Sequence, residues 1–179
     1  MAKPSKKSRT KIERRTKRLR DNLWPDAPER IWEYQTSDGW LNIPRSMPVI
    51  LRILDNLTKG QPVSATYLEL WCRTYNDGFV TASRPLEMAF FSGFDGERAR
   101  RTWLSRIAKL RQLGFIDVKE GASGSVSYIL VENPYTSLRR LREERQISDK
   151  LWNALMARMI DIGADDLDDR TSDEGAEDG

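Results

Sequence analysis

The sequence predicts a mainly α-helical fold with a small β-hairpin, an α+β domain between two charged ends. Apolar residues recur at helical spacing through residues 46–113, and an alternating pattern broken by a Gly/Ser-rich turn follows at 115–131. Helical spacing returns at 134–163. Of the 179 residues, 39% are hydrophobic, which suits one apolar core in the middle of the chain.

The two ends carry opposite charge. Residues 1–20 hold ten Lys/Arg and one Glu, a net charge of +9, and residues 161–179 hold nine Asp/Glu and one Arg, a net charge of −8. Neither end has enough apolar residues to offset the entropy of ordering. We therefore expect a disordered basic arm at 1–22 and a disordered acidic tail at 164–179.

The basic arm is expected to neutralise phosphate groups and release their counterions, and a purely solubilising role for its charge stays open. For the acidic tail, solubility, competition for the basic arm and contact with a basic partner all stay open. The candidate phosphate-contacting residues of the arm are Lys6, Lys7, Arg9, Lys11, Arg14, Arg15, Lys17 and Arg18.

The composition excludes several kinds of site. Histidine is absent, which excludes His-based catalysis and His-containing zinc sites, and the single Cys72 cannot form an internal disulfide or a Cys-rich zinc site. No stretch approaches the ~20 apolar residues of a membrane span, and the N-terminus lacks the apolar segment of a signal peptide. We expect a cytoplasmic protein without membrane, metal or cofactor.

Four helices are expected from residue 46 to residue 113, preceded by a Trp-rich segment whose aromatic side chains are expected to pack on the domain. The third helix is short and is expected to bury Leu86, Ala89 and Phe90. The hairpin follows the fourth helix. The four helical stretches are "SMPVILRILDNLTKG", "SATYLELWCRTYNDG", "SRPLEMAFFSGF" and "DGERARRTWLSRIAKLRQLG".

Helix, short helix, tight turn, longer helix and β-hairpin in this order form a winged helix-turn-helix. The stretch "RTWLSRIAKLRQLGFIDVKEG" with the later "SYILV" resembles the recognition helix and wing of bacterial winged-helix DNA-binding proteins, and the rhythm "L.RI.KL..LGFI" carries the resemblance. The chain is also similar to small winged-helix proteins of plasmids and other mobile elements. The resemblance spans residues 44–132 and implies a winged-helix domain at 23–133. One helix more than usual precedes the hairpin.

The two faces of the long helix differ in composition. At about 100° per residue, Ala99, Trp103, Ile107 and Leu110 share one narrow sector and are expected to face the core. The opposite face has three cations, three neutral hydrogen-bonding residues and no carboxylate, whereas a solvated helix face normally mixes acids with bases. The missing acids favour a polyanionic partner. That face consists of Arg98, Arg101, Thr102, Ser105, Lys109 and Gln112.

The first residues of a recognition helix usually reach base edges, so Arg98, Arg101 and Thr102 are the base-reading candidates. Lys109 is expected to contact phosphate. The hairpin adds a smaller set of candidates near its tip, which are Lys119, Ser123 and Ser125.

A helical extension at 134–163 ends in "SDKLWNALMARMIDIG", which has a broad apolar face. Packing on its own domain and a symmetric dimer contact both stay open for this face. The candidate oligomer-contact residues are Leu151, Trp152, Leu155, Met156 and Met159.

The sequence lacks a Gly-rich phosphate-binding loop and a cluster of nucleophiles, so we expect no enzyme. It predicts a sequence-specific double-stranded DNA-binding protein of the bacterial nucleoid or a plasmid, acting in transcriptional regulation or in replication or partition of a mobile element. One alternative is a winged-helix module that scaffolds a larger nucleoprotein assembly, and another is RNA binding.

Overall fold

The computed structural model describes residues 6–32, 38–75 and 77–167, and for residues 6–10 it describes the backbone only. The chain divides into two compact units, Met1–Trp40 and Leu41–Gly179. The tryptophan-rich segment predicted as the start of the larger domain therefore belongs to the smaller, N-terminal unit.

The N-terminal unit contains two helices, α1 (Lys6–Leu23) and α2 (Ala27–Arg30). A helix over 6–23 corrects the prediction of a disordered arm at 1–22. Lys, Arg and Glu have high helix propensity, so a helix forms here although few residues are apolar. Ile12, Leu19 and Leu23 share one side of α1 and stay more than half exposed. The scarcity of apolar residues therefore did not predict the helical conformation of this segment.

The three tryptophans of this unit expose much of their surface, although the sequence predicts that they pack. Trp24, Trp32 and Trp40 are 53%, 64% and 47% exposed. Proline and glycine interrupt the segment that carries them, and four-residue α2 offers a single buried residue, Ala27, for them to pack against.

The larger unit has six helices and a three-stranded sheet among its described residues. Both strand pairs are antiparallel, and the strand order is β1-β3-β2. The predicted α+β class is confirmed at this level. The elements are α3 (Met47–Leu57), α4 (Ser64–Arg73), β1 (Phe79–Thr81), α5 (Pro85–Phe91), α6 (Ala99–Gln112), β2 (Ile116–Gly121), β3 (Gly124–Val131), α7 (Pro134–Glu143) and α8 (Asp149–Ile162).

The predicted hairpin is present as β2 and β3, whereas β1 was not predicted. Three residues are too few to show the alternation that identifies a strand. In the structure β1 pairs with β3, with Val80 opposite Ile129, and both of these side chains face the core.

The six helices from α3 through α8 and the inner face of the sheet share one apolar core. Trp103, Tyr67 and Phe115 are its largest fully buried side chains, and the Tyr67 and Phe115 rings meet edge to face at 5.5 Å. Each fully buried large side chain contributes about 1.5–3 kcal/mol. This core fixes the positions of the helices that carry the candidate site.

Polar side chains join helices that are distant in sequence. Asp55 at the end of α3 accepts hydrogen bonds from the backbone N–H groups of Val63 and Ser64, both at 2.9 Å, and so satisfies the start of α4. Ser46, which precedes α3, does not cap that helix with its side chain. Its hydroxyl instead bonds to the Tyr135 hydroxyl at 2.7 Å and ties α3 to α7.

The apolar face of α8 packs against α3 within the same core. Leu155 is 0% and Met159 2% exposed, Leu151 is buried at 9%, and Trp152 and Met156 pack against the core. Of the five candidate oligomer-contact residues, Leu151, Leu155 and Met159 are therefore buried in their own domain, and Trp152 and Met156 are half-buried against it. Residues 134–163 form part of the larger unit and are not a separate extension.

The acidic tail begins later than the sequence predicts. Leu167 is buried, and the backbone carbonyl of Asp166 accepts a hydrogen bond from Arg139 at 2.6 Å. Residues 164–167 are thus part of the fold, and the remainder of the predicted tail lies outside the described residues.

Candidate nucleic-acid interface

The core stripe of α6 is confirmed. Ala99, Trp103, Ile107 and Leu110 are between 0% and 5% exposed. They pack α6 against α5, α4 and β2. With these side chains buried, the orientation of the helix is fixed, and its other side must face away from the core.

The C-terminal end of α6 is held by α7. Arg140 donates to the Leu113 carbonyl at 2.7 Å, and the Ser137 hydroxyl donates to the Gly114 carbonyl. Gly114 has φ +77°, and a Cβ there would lie 3.0 Å from an Arg140 nitrogen. These bonds satisfy carbonyls that a helix end leaves free. No sequence pattern predicts this anchor, because its partners are more than twenty residues apart.

The outward face of α6 is basic and partly open to solvent. Arg98, Arg101 and Gln112 are exposed, and Thr102, Ser105 and Lys109 are half-buried. The Lys109 ammonium and the Gln112 side-chain oxygen are 3.4 Å apart. Within Ala99–Gln112 there are five Lys/Arg and no Asp or Glu. The structure thus brings the six predicted residues of this helix onto one surface.

A polar groove runs along one side of this face. Lys109 and Lys59 both line it, so a second cation lies beside the predicted helix residues. Lys59 was not a candidate, because it follows α3 in sequence and lies more than thirty residues before α6. The other lining residues are Asn56, Leu57, Thr58, Gln61 and Gln146.

A second groove separates the other side of α6 from the hairpin. Ala108 and Arg111 line it from the helix, and Ser125 lines it from β3. The predicted hairpin residue Ser125 is therefore next to the helix face, as a wing residue would be.

A carboxylate lies at the hairpin side of α6. Asp117 is 3.0 Å from the Lys119 ammonium and 3.7 Å from the Arg111 guanidinium. The hydrogen bond from Lys119 and that from the Val118 N–H hold the pKa of Asp117 below its usual value. The acid-free surface predicted from the helix alone therefore ends at β2, and Lys119 is partly neutralised.

The tip of the hairpin is a tight two-residue turn between Gly121 and Gly124. A Cβ at Gly121 would lie 2.7 Å from the Tyr128 ring, so only glycine fits here. Ser123 and Ser125 are exposed. The Ser123 N–H donates to the Ser127 hydroxyl at 3.1 Å, so this backbone group is already used inside the turn.

The arginines beside the core stripe differ from one another. Arg106 is half-buried, and its guanidinium lies 5.6 Å from the centre of the Phe94 ring, which fixes it to the domain. Arg100 and Arg111 are exposed. Arg100 is thus available at the edge of the outward face, whereas Arg111 lies 3.7 Å from Asp117.

The N-terminal unit carries the other predicted cations. Lys11, Arg14, Arg15, Lys17 and Arg18 are exposed on α1. The backbone of Lys6, Lys7 and Arg9 is helical, and their side chains lie outside the described part of the chain.

Three further findings bear on function. Across the described ranges, no group of three or more His, Cys, Asp or Glu residues is placed to hold a metal ion, and no helix is long and apolar enough to cross a bilayer. Comparison of the chain with protein-family models, with curated proteins and with solved structures gave no match.

Proposed function

We propose that this protein binds double-stranded DNA with the outward face of α6. The observation that carries the proposal is the composition of that face, in which Arg98, Arg101 and Lys109 point away from the core and no carboxylate interrupts them. A solvated helix normally gains from mixed charges, whereas a polyanion favours a surface of one sign.

The order of the elements also supports the proposal. Helix α5, a seven-residue connection (92–98), helix α6 and the β2–β3 hairpin follow one another, and β1 pairs with β3 at the other side. This is the order of a winged helix, in which α6 would be the recognition helix and the hairpin the wing. The additional helix α4 lies before β1 and packs on α3, α5 and the buried side of α6, and Arg98, Arg101 and Gln112 on the outward face of α6 stay exposed.

In the proposed mechanism, the charges of α1 and of the Lys59/Lys109 groove attract the phosphate backbone and release its counterions. Arg98, Arg101 and Thr102 then reach base edges in the major groove, where Arg can bind guanine through two hydrogen bonds. Ser125 at the hairpin would contact the backbone. The first turn of α6 therefore reads the DNA sequence. The cations of α1 and of the groove, together with Ser125, position the protein on the DNA backbone.

Fluorescence anisotropy with a labelled random duplex at several salt concentrations tests this function. We expect log affinity to fall linearly with log salt, by about 0.9 for each phosphate neutralised. Affinity that does not change with salt would contradict the proposal. Selection of bound duplexes from a random library then separates sequence-specific from general binding, since a general binder enriches no motif.

Two alternatives have specific support. An RNA-binding role would use the same basic surface, and an unlabelled RNA duplex that displaces DNA at equal or lower concentration would favour it. A scaffolding role is favoured by the exposed apolar side chains Leu86, Phe90 and Phe91 on α5. Regulation of transcription and replication or partition of a mobile element are both compatible with the proposed DNA binding.

A further inference from the structure

The outer face of α5 is apolar and open. Leu86, Phe90 and Phe91 are 64%, 65% and 62% exposed, whereas Met88 and Ala89 on the inner face are fully buried. The prediction that Leu86 and Phe90 are buried is therefore wrong. A seven-residue helix has room for only two core positions here, and these are filled by Met88 and Ala89.

These three side chains form one cluster. The Phe90 and Phe91 rings meet edge to face at 5.7 Å, and Leu86 lies one turn before Phe90. Large side chains of this kind each bury about 150–250 Å² when covered, so the cluster exposes on the order of 350 Å² of apolar surface. A contiguous patch of that size on a monomer is often functional.

Charges of both signs surround the cluster. Glu87 lies 3.2 Å from Arg84 and 3.4 Å from Arg73. The Arg73 guanidinium in turn lies 5.8 Å from the centre of the Phe91 ring. An acid and two bases are therefore arranged on the same face as the exposed apolar side chains.

We infer that this face, the α5 patch (Arg84, Leu86, Glu87, Phe90 and Phe91), binds a second copy of the same chain. In a two-fold contact the same patch lies on both sides, so Arg84 of one copy can face Glu87 of the other. Arg73 is also paired with Glu69, so Arg84 and Glu87 remain as one base and one acid, and such a patch is complementary to itself. The exposed stripe of α1 lacks this property, because the many cations around it repel a second copy.

The area indicates a weak contact. Two patches together bury about 700 Å², less than the ~1,200 Å² of a stable interface. The protein is therefore monomeric when dilute and associates at high concentration or on neighbouring DNA sites, where the effective concentration is raised. Because α5 packs directly on α6, the contact brings two α6 helices close together. The association itself does not depend on the proposed DNA binding.

Sedimentation velocity without DNA tests the inference on the full chain. From about 5 µM to about 500 µM, the weight-average sedimentation coefficient of the natural protein should rise toward that of a dimer, as a contact of this size predicts. Phe90→Ser should keep the protein monomeric throughout. Tyr128→Ser is the matched control, because Tyr128 is an exposed aromatic on the outer sheet face at 41% exposure and should leave the rise unchanged.

A charge exchange makes the test independent of general destabilisation. Arg84→Glu gives a patch with excess negative charge and Glu87→Arg one with excess positive charge, so each variant alone should stay monomeric. An equimolar mixture should associate again, because unlike patches then face each other. A natural protein that stays monomeric up to the highest concentration would overturn the inference. So would association that survives Phe90→Ser, loss of association in Tyr128→Ser, or a mixture that stays monomeric.

Discussion

Helices α6 and α8 are both 14 residues long and amphipathic, and the sequence assigned a functional surface to each. For α6 the predicted surface was the polar face, and for α8 it was the apolar face. In the structure the core stripe of each helix is buried in one core, whereas Ile160 near the end of α8 is 68% exposed. The polar face of α6 remains partly exposed and all of its charged residues are cations, whereas α8 carries Asp149, Lys150 and Asp161 outside its core stripe.

The comparison shows which face of an amphipathic helix carries information about partners. An apolar stripe on a helix is normally used by its own domain, because burying it is the main source of stability. A polar face has no such internal use. The composition of the polar face is therefore the better indicator of an external partner. Helix α6 departs from the ordinary mixture of acids and bases on this face, whereas α8 has that mixture.

The largest effect is expected from the core stripe of α8. Leu155→Ala should lower the free energy of unfolding by about 2–5 kcal/mol, because it leaves a cavity around a fully buried side chain. Urea unfolding at two protein concentrations measures this. A loss below ~1 kcal/mol at low concentration would mean that α8 is stabilised by a partner and not by its own core.

On α6 the corresponding change should affect binding and not stability. Arg101→Ala should weaken binding to a selected DNA site by about 1–3 kcal/mol, roughly 5- to 150-fold, while the unfolding midpoint stays the same. Anisotropy titration gives the affinity. Affinity equal to that of the natural protein would remove Arg101 from the base-reading residues.

The basic helix α1 allows a test of general phosphate binding. Replacing Arg14, Arg15 and Arg18 together with Gln keeps good helix formers but removes three exposed charges. Binding to all duplexes should weaken about equally, and the slope of log affinity against log salt should fall by up to about 2.7. Loss confined to one selected site would show that this helix reads bases instead.

The smallest effect is expected beside the hairpin. Asp117→Asn removes the carboxylate that pairs with Lys119 and Arg111, so binding to a random duplex should tighten by a few-fold at low salt. Anisotropy at two salt concentrations checks this. Weaker binding would indicate that Asp117 positions these two cations for DNA, and not that it neutralises them.

Local patterns were sufficient for most of the larger unit. The helices, the hairpin and the core stripe through Trp103 and Leu110 could be predicted because their apolar periods are long enough to identify. Strand β1 was missed because it has three residues. The outward position of Phe90 was missed because seven residues, about two helical turns, are too few for the apolar period to show which side faces the core. Periodicity alone does not give the direction of so short a helix.

The residues at the edges of the candidate site could not be predicted from the sequence for a different reason. Lys59, Asp117 and the Arg140 anchor come from other elements and meet α6 only in the folded chain. A helical wheel contains no such contacts. The sequence therefore identified the six residues of the outward face, while the cations and the carboxylate at its edges required the three-dimensional structure.

The central claim is that DNA binding depends on the cations at their positions on α6 and not on the net charge of the chain. Arg101→Glu and Lys150→Glu each lower the net charge by two, and both residues are exposed, one on α6 and the other on α8. Their affinities for one duplex should be measured by anisotropy in the same buffer. We predict a loss of about 100-fold or more for Arg101→Glu and a much smaller loss for Lys150→Glu, since a charge that makes no direct contact with DNA acts only through the screened field. Equal losses in the two variants would contradict the assignment of α6 as the DNA-binding surface.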